Sequence, residues 1–349
     1  MYLWEKKKPS NTIDLPSNVK VLYQEDKWIP IIDSYFVRKS PEKFKENTYA
    51  YRFKKGKKYS CVFGLGQIGA YIAHLISGRN RSPLILFNDE FPSCWRQSSW
   101  TDLEKKAAAD SELIVVPDAD RSQHLLKEYG LSAHATSVLP NIAEVKQNLV
   151  KINWHERLRI PSGKKICLNA GTLSDFAQFP EILSGINNWP DDFVLVLNDR
   201  SAGRMAEVKK SYSHLDIPGK IFWISDSLTE DEINSLVSHS YLNFALYRNT
   251  GPNIEYIGFS SGKLMRSIAL GSPVIASDLI SLQFVKESGL GVLIKHPSEI
   301  PNAIKQVDAS RNKYSANCIK FFNEQCNFNL YWNKFISDVK KNTGIDFSG

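Results

Sequence analysis

The segment from Gly251 to Leu279, GPNIEYIGFSSGKLMRSIALGSPVIASDL, joins a small, flexible loop to a helical pattern that starts near Ser261. Ser260, Ser261 and Gly262 are predicted at the amino end of that helix, where backbone N–H groups have no intrahelical partner and the dipole is positive. Lys263 adds a cation at the same place. Such a helix end binds anions, phosphate included. The alternative is a helix that simply has a serine as its N-cap.

A second pattern of glycines follows a short apolar run that begins at Tyr59. Gly64, Gly66 and Gly69 stand in the order G-x-G-x-x-G, and Asp89 follows the next apolar run, twenty residues after Gly69. This arrangement is typical of a turn that binds NAD. The same glycines also allow a helix to pack closely on a strand in other α/β folds. The pattern alone leaves both interpretations open.

Several other polar residues could do chemistry. Asp89 and Glu90 end a predicted strand, and a carboxylate there could orient or deprotonate an acceptor hydroxyl, or cap a loop. The run Asp118–Asp120 has the D-x-D spelling of a metal site, but it follows a strand, which favours turn chemistry. His74 lies in an apolar helical pattern and is predicted to be a core residue. We therefore expect no metal site.

The bulk composition fits a globular protein of two domains: 349 residues, 42% hydrophobic and 23% charged. No apolar run reaches the roughly 18 residues that span a bilayer, and the first ten residues lack a signal-peptide core. The five cysteines are scattered without a C-x-x-C pair, which argues against a zinc site or a disulfide framework. These features predict a cytoplasmic protein.

The positive charge is concentrated at the start of the chain. Residues 1–60 contain 14 Lys and Arg against 7 Asp and Glu, a net charge of +7, which equals the net charge of the whole chain. The densest part is RFKKGKKYS, from Arg52 to Ser60. A solvated face explains any single lysine, whereas the cluster favours peripheral contact with anionic lipid or an acidic substrate. No nucleic-acid-binding motif is present, so nucleic acid is not an expected partner.

Apolar runs alternate with helical patterns along most of the chain, which predicts parallel sheets covered by helices. The predicted strands are Val19–Tyr23, Tyr59–Phe63, Pro83–Phe87, Leu113–Val116, Ser137–Leu139, Lys165–Asn169, Phe193–Asn198, Lys220–Ile224, Tyr241–Leu246, Val274–Ala276 and Gly291–Leu293. The predicted helices between them are Gln67–Ser77, Ser99–Ala109, Ser122–Tyr129, Ala177–Asn187, Ala202–Tyr212, Glu230–Ser238, Ser261–Ala269 and Leu282–Glu287.

Two series of such units meet in a polar region near Pro140 and Pro161. We therefore predict an α/β protein with two Rossmann-like domains, residues 1–155 and 156–325. The C-terminal segment, residues 326–349, places Phe328, Trp332 and Phe335 at helical spacing, which predicts an amphipathic helix.

The run SSGKLMRSIALGSPVIASD resembles the motif of GT-B glycosyltransferases, in particular family 4, in which a helix of the form S-x-K-L-x-E-Y-x-A-x-G-x-P-V-I faces the donor diphosphate. Other segments resemble the family in order and spacing, over about residues 110–340. They are SVLPN, LNAGTLSDFAQFPEILSGINNWPDDFVLVLNDRS, KIFWISDSLTEDEINSLVSHSYLNFALY and the C-terminal amphipathic segment. The resemblance implies two Rossmann-like domains facing a central cleft, with the C-terminal helix crossing back to the first domain.

The resemblance also implies roles for particular residues. The donor site would comprise Gly171, Thr172, Arg200, Glu255, Ser260, Ser261, Gly262, Lys263 and Arg266. Lys263 and the helix end would stabilise the leaving diphosphate. Gly64, Gly66 and Asp89 would line the acceptor cleft, and Asp89 and Glu90 would act on the acceptor. The family implies no obligatory metal and no cofactor besides the sugar nucleotide.

The sequence departs from the family at several positions. The family's glutamate that holds the donor ribose is replaced by Arg266, which cannot accept a hydrogen bond from a hydroxyl. The paired acid falls at Gly258, with Glu255 as the nearest carboxylate. The Arg and Lys expected after Gly171 are missing, and Arg200 could substitute for them. The usual first strand with its glycine-rich turn is not evident before Val19, so the first domain reads as shortened or its start as mis-assigned.

These observations predict a hexosyltransferase that uses a nucleoside diphosphate sugar. Its acceptor would be a glycan or a lipid-linked sugar in cell-surface polysaccharide synthesis, with retention of the anomeric configuration. Two alternatives stay open: an NAD-dependent oxidoreductase that uses Gly64–Gly69, and a non-catalytic relative, suggested by Arg266, that acts as a partner subunit.

Overall fold

A computed structural model describes residues 2–5, 20–23, 59–91, 99–142, 149–199 and 204–347. The chain forms two compact units, residues 1–86 with 97–111 and residues 87–96 with 112–349. Most of the predicted basic segment, residues 52–58, and the predicted site residue Arg200 lie outside the described residues. The division of the chain at residues 155 and 325 stays a prediction.

The described residues contain twelve strands and twelve α-helices. The strands are β1 (Tyr2–Glu5), β2 (Lys20–Tyr23), β3 (Val62–Leu65), β4 (Leu84–Phe87), β5 (Leu113–Val116), β6 (Thr136–Val138), β7 (Lys165–Gly171), β8 (Phe193–Asp199), β9 (Ile221–Ile224), β10 (Leu242–Ala245), β11 (Val274–Ser277) and β12 (Gly291–Ile294). The helices are α1 (Gly66–Asn80), α2 (Ser99–Ala109), α3 (Ala119–Tyr129), α4 (Trp154–Leu158), α5 (Phe179–Ser184), α6 (Met205–Ser211), α7 (Glu230–His239), α8 (Pro252–Glu255), α9 (Gly262–Ala269), α10 (Gln283–Glu287), α11 (Ile300–Gln325) and α12 (Phe328–Thr343).

Two parallel sheets organise these elements. One sheet has four strands in the order β3-β4-β5-β6, and the other has six in the order β12-β11-β10-β7-β8-β9. A separate parallel pair joins β1 to β2. The crossover of the six-stranded sheet lies between β7 and β10, which pair directly although β8 and β9 separate them in sequence. The predicted α/β class with two parallel sheets is confirmed.

The six-stranded sheet is buried on both faces. Every residue of β8 is buried, and the strand pairs with β7 along seven residues. Leu195 and Leu197 belong to one core cluster, whereas the alternate residues Val194 and Val196 belong to another. This explains why β8 reads as a continuous apolar run, since a parallel strand between two helical layers has no solvent-facing side.

The glycine pattern of the first unit serves close packing of α1 on β3. A Cβ at Gly64 would lie 2.9 Å from Cα of Ala70 and 2.9 Å from Cβ of Ala73. Gly66 has a φ of +61°, a conformation that favours glycine. The strand begins at Val62 and not at Tyr59 as predicted, since the main-chain hydrogen bond of Val62 to the carbonyl of Pro83 starts the pairing.

The C-terminal helix α12 packs on β5 and β6 of the four-stranded sheet, as the predicted return to the first sheet requires. Phe335 and Val339 are buried, and Asp338 accepts a hydrogen bond of 2.7 Å from the Ser137 hydroxyl on β6. The ring of Phe335 lies 5.8 Å from that of Phe87 at the end of β4. Within the described residues, every helix is too short or too polar to cross a bilayer.

Candidate functional site

The amino end of α9 is built around Ser261, which is the N-cap of the helix. Its hydroxyl accepts the main-chain N–H of Leu264 at 3.3 Å and lies 2.5 Å from the hydroxyl of Tyr247. Ser261 and Tyr247 are both buried. The hydroxyl of Ser261 is therefore used by the protein, while the first N–H groups of α9, at the exposed Gly262 and at Lys263, point out of the amino end of the helix.

Lys263 is a half-buried cation next to Tyr247. Its Nζ lies 4.5 Å from the centroid of the Tyr247 ring, a cation–π contact. Among the described residues, no carboxylate lies within ion-pair distance of Nζ. Burial lowers the pKa of Lys263 to about 8 and raises the pKa of Tyr247, which keeps the phenol neutral. A half-buried ammonium with no counter-ion among the described residues is suited to bind an anionic ligand.

The turn after β7 lies against Lys263. Gly171 has a φ of +124°, and a Cβ placed there would lie 3.7 Å from Cδ of Lys263. Thr172 follows it and is half-buried. This turn is at the carboxyl end of a central parallel strand, where open α/β sheets bind their ligands. The structure therefore places the Gly171 turn next to Lys263, while the role of Gly171, Thr172, Gly262 and Lys263 toward a donor stays a prediction.

Arg204 and Asp199, which sequence reasoning missed, hold the same turn. The main-chain N–H of Leu173 donates to Asp199 Oδ2 at 3.1 Å, and Arg204 Nη2 donates to the carbonyl of Leu173 at 2.8 Å. Arg204 Nη1 lies 3.9 Å from Asp199 Oδ2. Arg204 lies four residues beyond the predicted Arg200. The sequence signal for it was that an arginine occurs shortly after the end of β8.

Three further predicted donor residues make hydrogen bonds within the protein. Arg266 Nη2 donates to Glu230 Oε2 of α7 at 2.7 Å. The Ser260 hydroxyl donates to the carbonyl of Ile257 at 2.6 Å. The carbonyl of Glu255 accepts from the Ser281 hydroxyl at 2.7 Å, which fixes the main chain of α8. None of these contacts tests a role toward a ligand, so the three residues stay predictions.

Asp89 and Glu90 are exposed and directly follow β4 and Asn88. They belong to the same compact unit as α9, whereas Gly64 and Gly66 belong to the other unit. Asp118 Oδ1 accepts the main-chain N–H of Arg121 at 2.7 Å, so the first Asp of the D-x-D spelling is the N-cap of α3.

His74, predicted in the core, is half-buried instead. Its Nε2 lies 2.8 Å from Oδ2 of Asp110, on the unit that contains α1. Because Asp110 is exposed, the His74 imidazole that contacts it also lies near the surface, although the helix around His74 has an apolar pattern.

The architecture is that of the GT-B fold, and solved structures of glycosyltransferases with this fold resemble the chain. Sucrose-phosphate synthase from Thermosynechococcus elongatus has a TM-score of 0.75 and 14% identity, over 97% of this chain and 88% of its own. Anabaena HepE in complex with UDP-glucose has a TM-score of 0.68 and 15% identity, over 93% and 86%. The E. coli trehalose-6-phosphate protein bound to UDP-2-fluoro glucose has a TM-score of 0.66 and 11% identity, over 97% and 92%.

No family model matches the sequence. No curated protein matches it either. At sequence identities of 11–15%, the similarity to these solved structures is therefore one of fold.

Proposed function

We propose that the chain is a glycosyltransferase that moves a hexose from a nucleoside diphosphate sugar to a glycan or lipid-linked acceptor. The observation that carries the proposal is the position of Lys263 between the amino end of α9 and the Gly171 turn, with no carboxylate of the described part of the chain within ion-pair distance. The ammonium of Lys263 and the positive amino end of α9 both lie near the carboxyl end of β7, and together they suit the two phosphates of a diphosphate. Solved structures of the same fold include complexes with UDP-glucose and a fluoro analogue, which supports this donor class.

The proposed reaction divides the roles between the two sides of the site. The acceptor oxygen forms a bond to the anomeric carbon as the bond from that carbon to the phosphate oxygen breaks. The nucleoside diphosphate leaves with the electron pair, stabilised by Lys263 and the helix dipole. The acceptor proton passes to a phosphate oxygen in a retaining, front-face displacement, and Asp89 or Glu90 orients the acceptor hydroxyl. The proposal calls for no cofactor and no metal.

The proposed donor domain is residues 156–325, and the proposed acceptor domain is residues 1–155. In the cell, we propose a cytoplasmic protein in peripheral contact with the anionic inner face of a membrane, where lipid-linked acceptors for polysaccharide synthesis lie. The net charge of +7 in residues 1–60 supports this.

Calorimetric titration with UDP, GDP and NAD tests the proposal. We expect a nucleoside diphosphate to bind, and we expect Lys263→Ala to weaken that binding more than tenfold, about 1.4 kcal/mol. Lys286→Ala is the matched control, because Lys286 is exposed on α10 and is not one of the proposed donor-site residues. Binding of NAD alone, or equal affinities of the two variants, would contradict the proposal.

A further inference from the structure

Arg121, in the first turn of α3, is a buried cation that the proposed reaction does not use. Only 1% of the residue is exposed. A guanidinium keeps its proton at any physiological pH and carries five N–H donors in a fixed plane. Burying such a group is costly unless hydrogen bonds compensate for the lost water. The partners of Arg121 therefore identify which parts of the chain it holds.

Among the described residues, the guanidinium contacts two segments that are far apart in sequence. Nη1 donates to the carbonyl of Asp89 at 2.6 Å and lies 3.3 Å from Oδ1 of Asn253. Nη2 donates to the carbonyls of Asn253 and Tyr256 at 3.3 and 3.1 Å, and lies 3.4 Å from the Ser260 hydroxyl. One guanidinium thus joins the turn after β4 to the segment 253–260, which precedes α9.

Phe91 and Asn253 form a second link between the same two segments. The main-chain N–H of Phe91 donates to Asn253 Oδ1 at 2.6 Å, and the Arg121 guanidinium lies 4.6 Å from the Phe91 ring centroid. The Asn253 side-chain oxygen therefore accepts hydrogen bonds from the main chain of Phe91 and from the guanidinium of Arg121. We term the cluster of Asp89, Phe91, Arg121 and Asn253 the arginine junction. It holds the turn after β4 at two points, the carbonyl of Asp89 and the N–H of Phe91.

The arginine junction connects the two proposed halves of the site. Asp89 carries a proposed acceptor carboxylate, and its carbonyl is held by Arg121. The segment 253–260 continues directly into Ser261, the cap of the helix that presents Lys263. Within the described residues, Arg121 is buried and holds these segments mainly through main-chain carbonyls, so we treat it as a residue that positions the site and does not take part in the chemistry.

We propose that Arg121 is a positioning residue that couples the acceptor carboxylate turn at Asp89 to the phosphate-binding end of α9. The inference rests on the proposed function. Binding of a diphosphate at Lys263 orders the segment before α9, and the arginine junction transmits that order to the turn of Asp89 and Phe91. The amide of Phe91 reports the coupling directly, since its hydrogen bond belongs to the junction.

Amide hydrogen exchange of Phe91, with and without saturating UDP, tests the coupling in the full chain. In the wild type we expect UDP to slow Phe91 exchange at least threefold. In Arg121→Gln we expect basal exchange at least tenfold faster and no slowing by UDP, although UDP still binds within threefold of the wild-type Kd. A purely structural role predicts instead that UDP affinity falls, or that the slowing by UDP persists. Either result would overturn the inference.

Asn253 offers a matched pair of variants in case Arg121→Gln does not fold. Asn253→Asp keeps an acceptor for both Phe91 and Arg121, so wild-type slowing by UDP is expected. Asn253→Leu keeps the size but removes the acceptor, so the slowing is lost. Equal behaviour of the two variants would overturn the inference.

The proposed function and the arginine junction can fail separately. If UDP does not bind the wild type, the proposed function fails with UDP as its donor. Unchanged basal Phe91 exchange in Arg121→Gln would refute the arginine junction whether or not UDP binds.

Discussion

At the scale of single residues, Lys263 is the side chain whose environment departs most from that of an ordinary surface lysine. It contacts the face of Tyr247 and the Gly171 turn, and within the described residues it lacks an acidic partner. Its pKa of about 8 results from burial, which disfavours the charged form. Because an anion restores the charged form, ligand binding and protonation of Lys263 should be linked.

This linkage predicts the pH dependence of nucleotide binding. Above pH 8 the free protein loses the Lys263 proton, so we expect UDP affinity to fall between pH 7.5 and 9.5, by up to about tenfold per pH unit. UDP is fully ionised across this range, since its last phosphate pKa is near 6. Lys263→Arg keeps its charge and should give a flat profile. Calorimetry at four pH values checks this, and parallel profiles would refute the role of Lys263.

The residues of the site divide by the range of their contacts. Ser261 and Lys263 could be located from sequence because a capped helix start depends on neighbours three residues apart. Arg121 and Arg204 could not, because their partners are set by the tertiary fold: Arg121 meets Asn253 at a separation of 132 residues. In sequence, Arg121 directly precedes the predicted helix Ser122–Tyr129 and Arg204 falls within the predicted helix Ala202–Tyr212, so neither pattern indicates a position that holds the site.

At the scale of elements, the cap of α9 supports both stability and the site. Ser261→Ala removes the cap and also leaves the buried Tyr247 hydroxyl without its partner. We expect a loss of about 2–4 kcal/mol in the free energy of unfolding, from the cap and the orphaned hydroxyl together. Urea unfolding measures this loss.

Thr229→Ala is the control for that substitution. Thr229 caps α7 in an exposed capping box with Glu232, so its loss should cost only about 1 kcal/mol. UDP affinity should fall for Ser261→Ala and stay unchanged for Thr229→Ala. Equal destabilisation by the two substitutions would show that the Tyr247 contact adds nothing to the cap.

Strong patterns of burial decided which elements could be predicted. β5 and α2 occur with their predicted bounds, and β7 extends two residues beyond its prediction, to Gly171. The helices α4, α8 and α11 were not predicted. In α11 the buried residues after Val307 reduce to Cys318, so fully buried positions are sparse along most of its 26 residues. The second half of this helix packs through Cys318 and the half-buried Phe321 and Phe322 on the core cluster that includes α9, a long-range contact that sequence patterns do not reveal.

At the scale of the whole molecule, the C-terminal helix packs on strands that lie about 200 residues earlier in the sequence. Strands β5 and β6, near the start of the second compact unit, are covered by α12 at the end of the chain. The contact combines the buried Phe335 and Val339 with the hydrogen bond from Ser137 to Asp338. The apolar spacing of α12 predicted an amphipathic helix, and the fold resemblance supplied the sheet on which it packs.

This long-range contact should contribute to stability without forming part of the proposed phosphate site. Phe335→Ala removes a ring that is 2% exposed and packs against Phe87, so we expect a loss of about 3–5 kcal/mol in the free energy of unfolding. Phe328→Ala on the same helix is the control, since Phe328 is 45% exposed and should cost less than about 1 kcal/mol. Denaturant unfolding measures both, and UDP affinity of the folded Phe335→Ala protein should stay within twofold of wild type. Equal losses for the two phenylalanines would mean that α12 does not pack on the sheet in solution, and a large loss of UDP affinity would mean that the helix reaches the donor site.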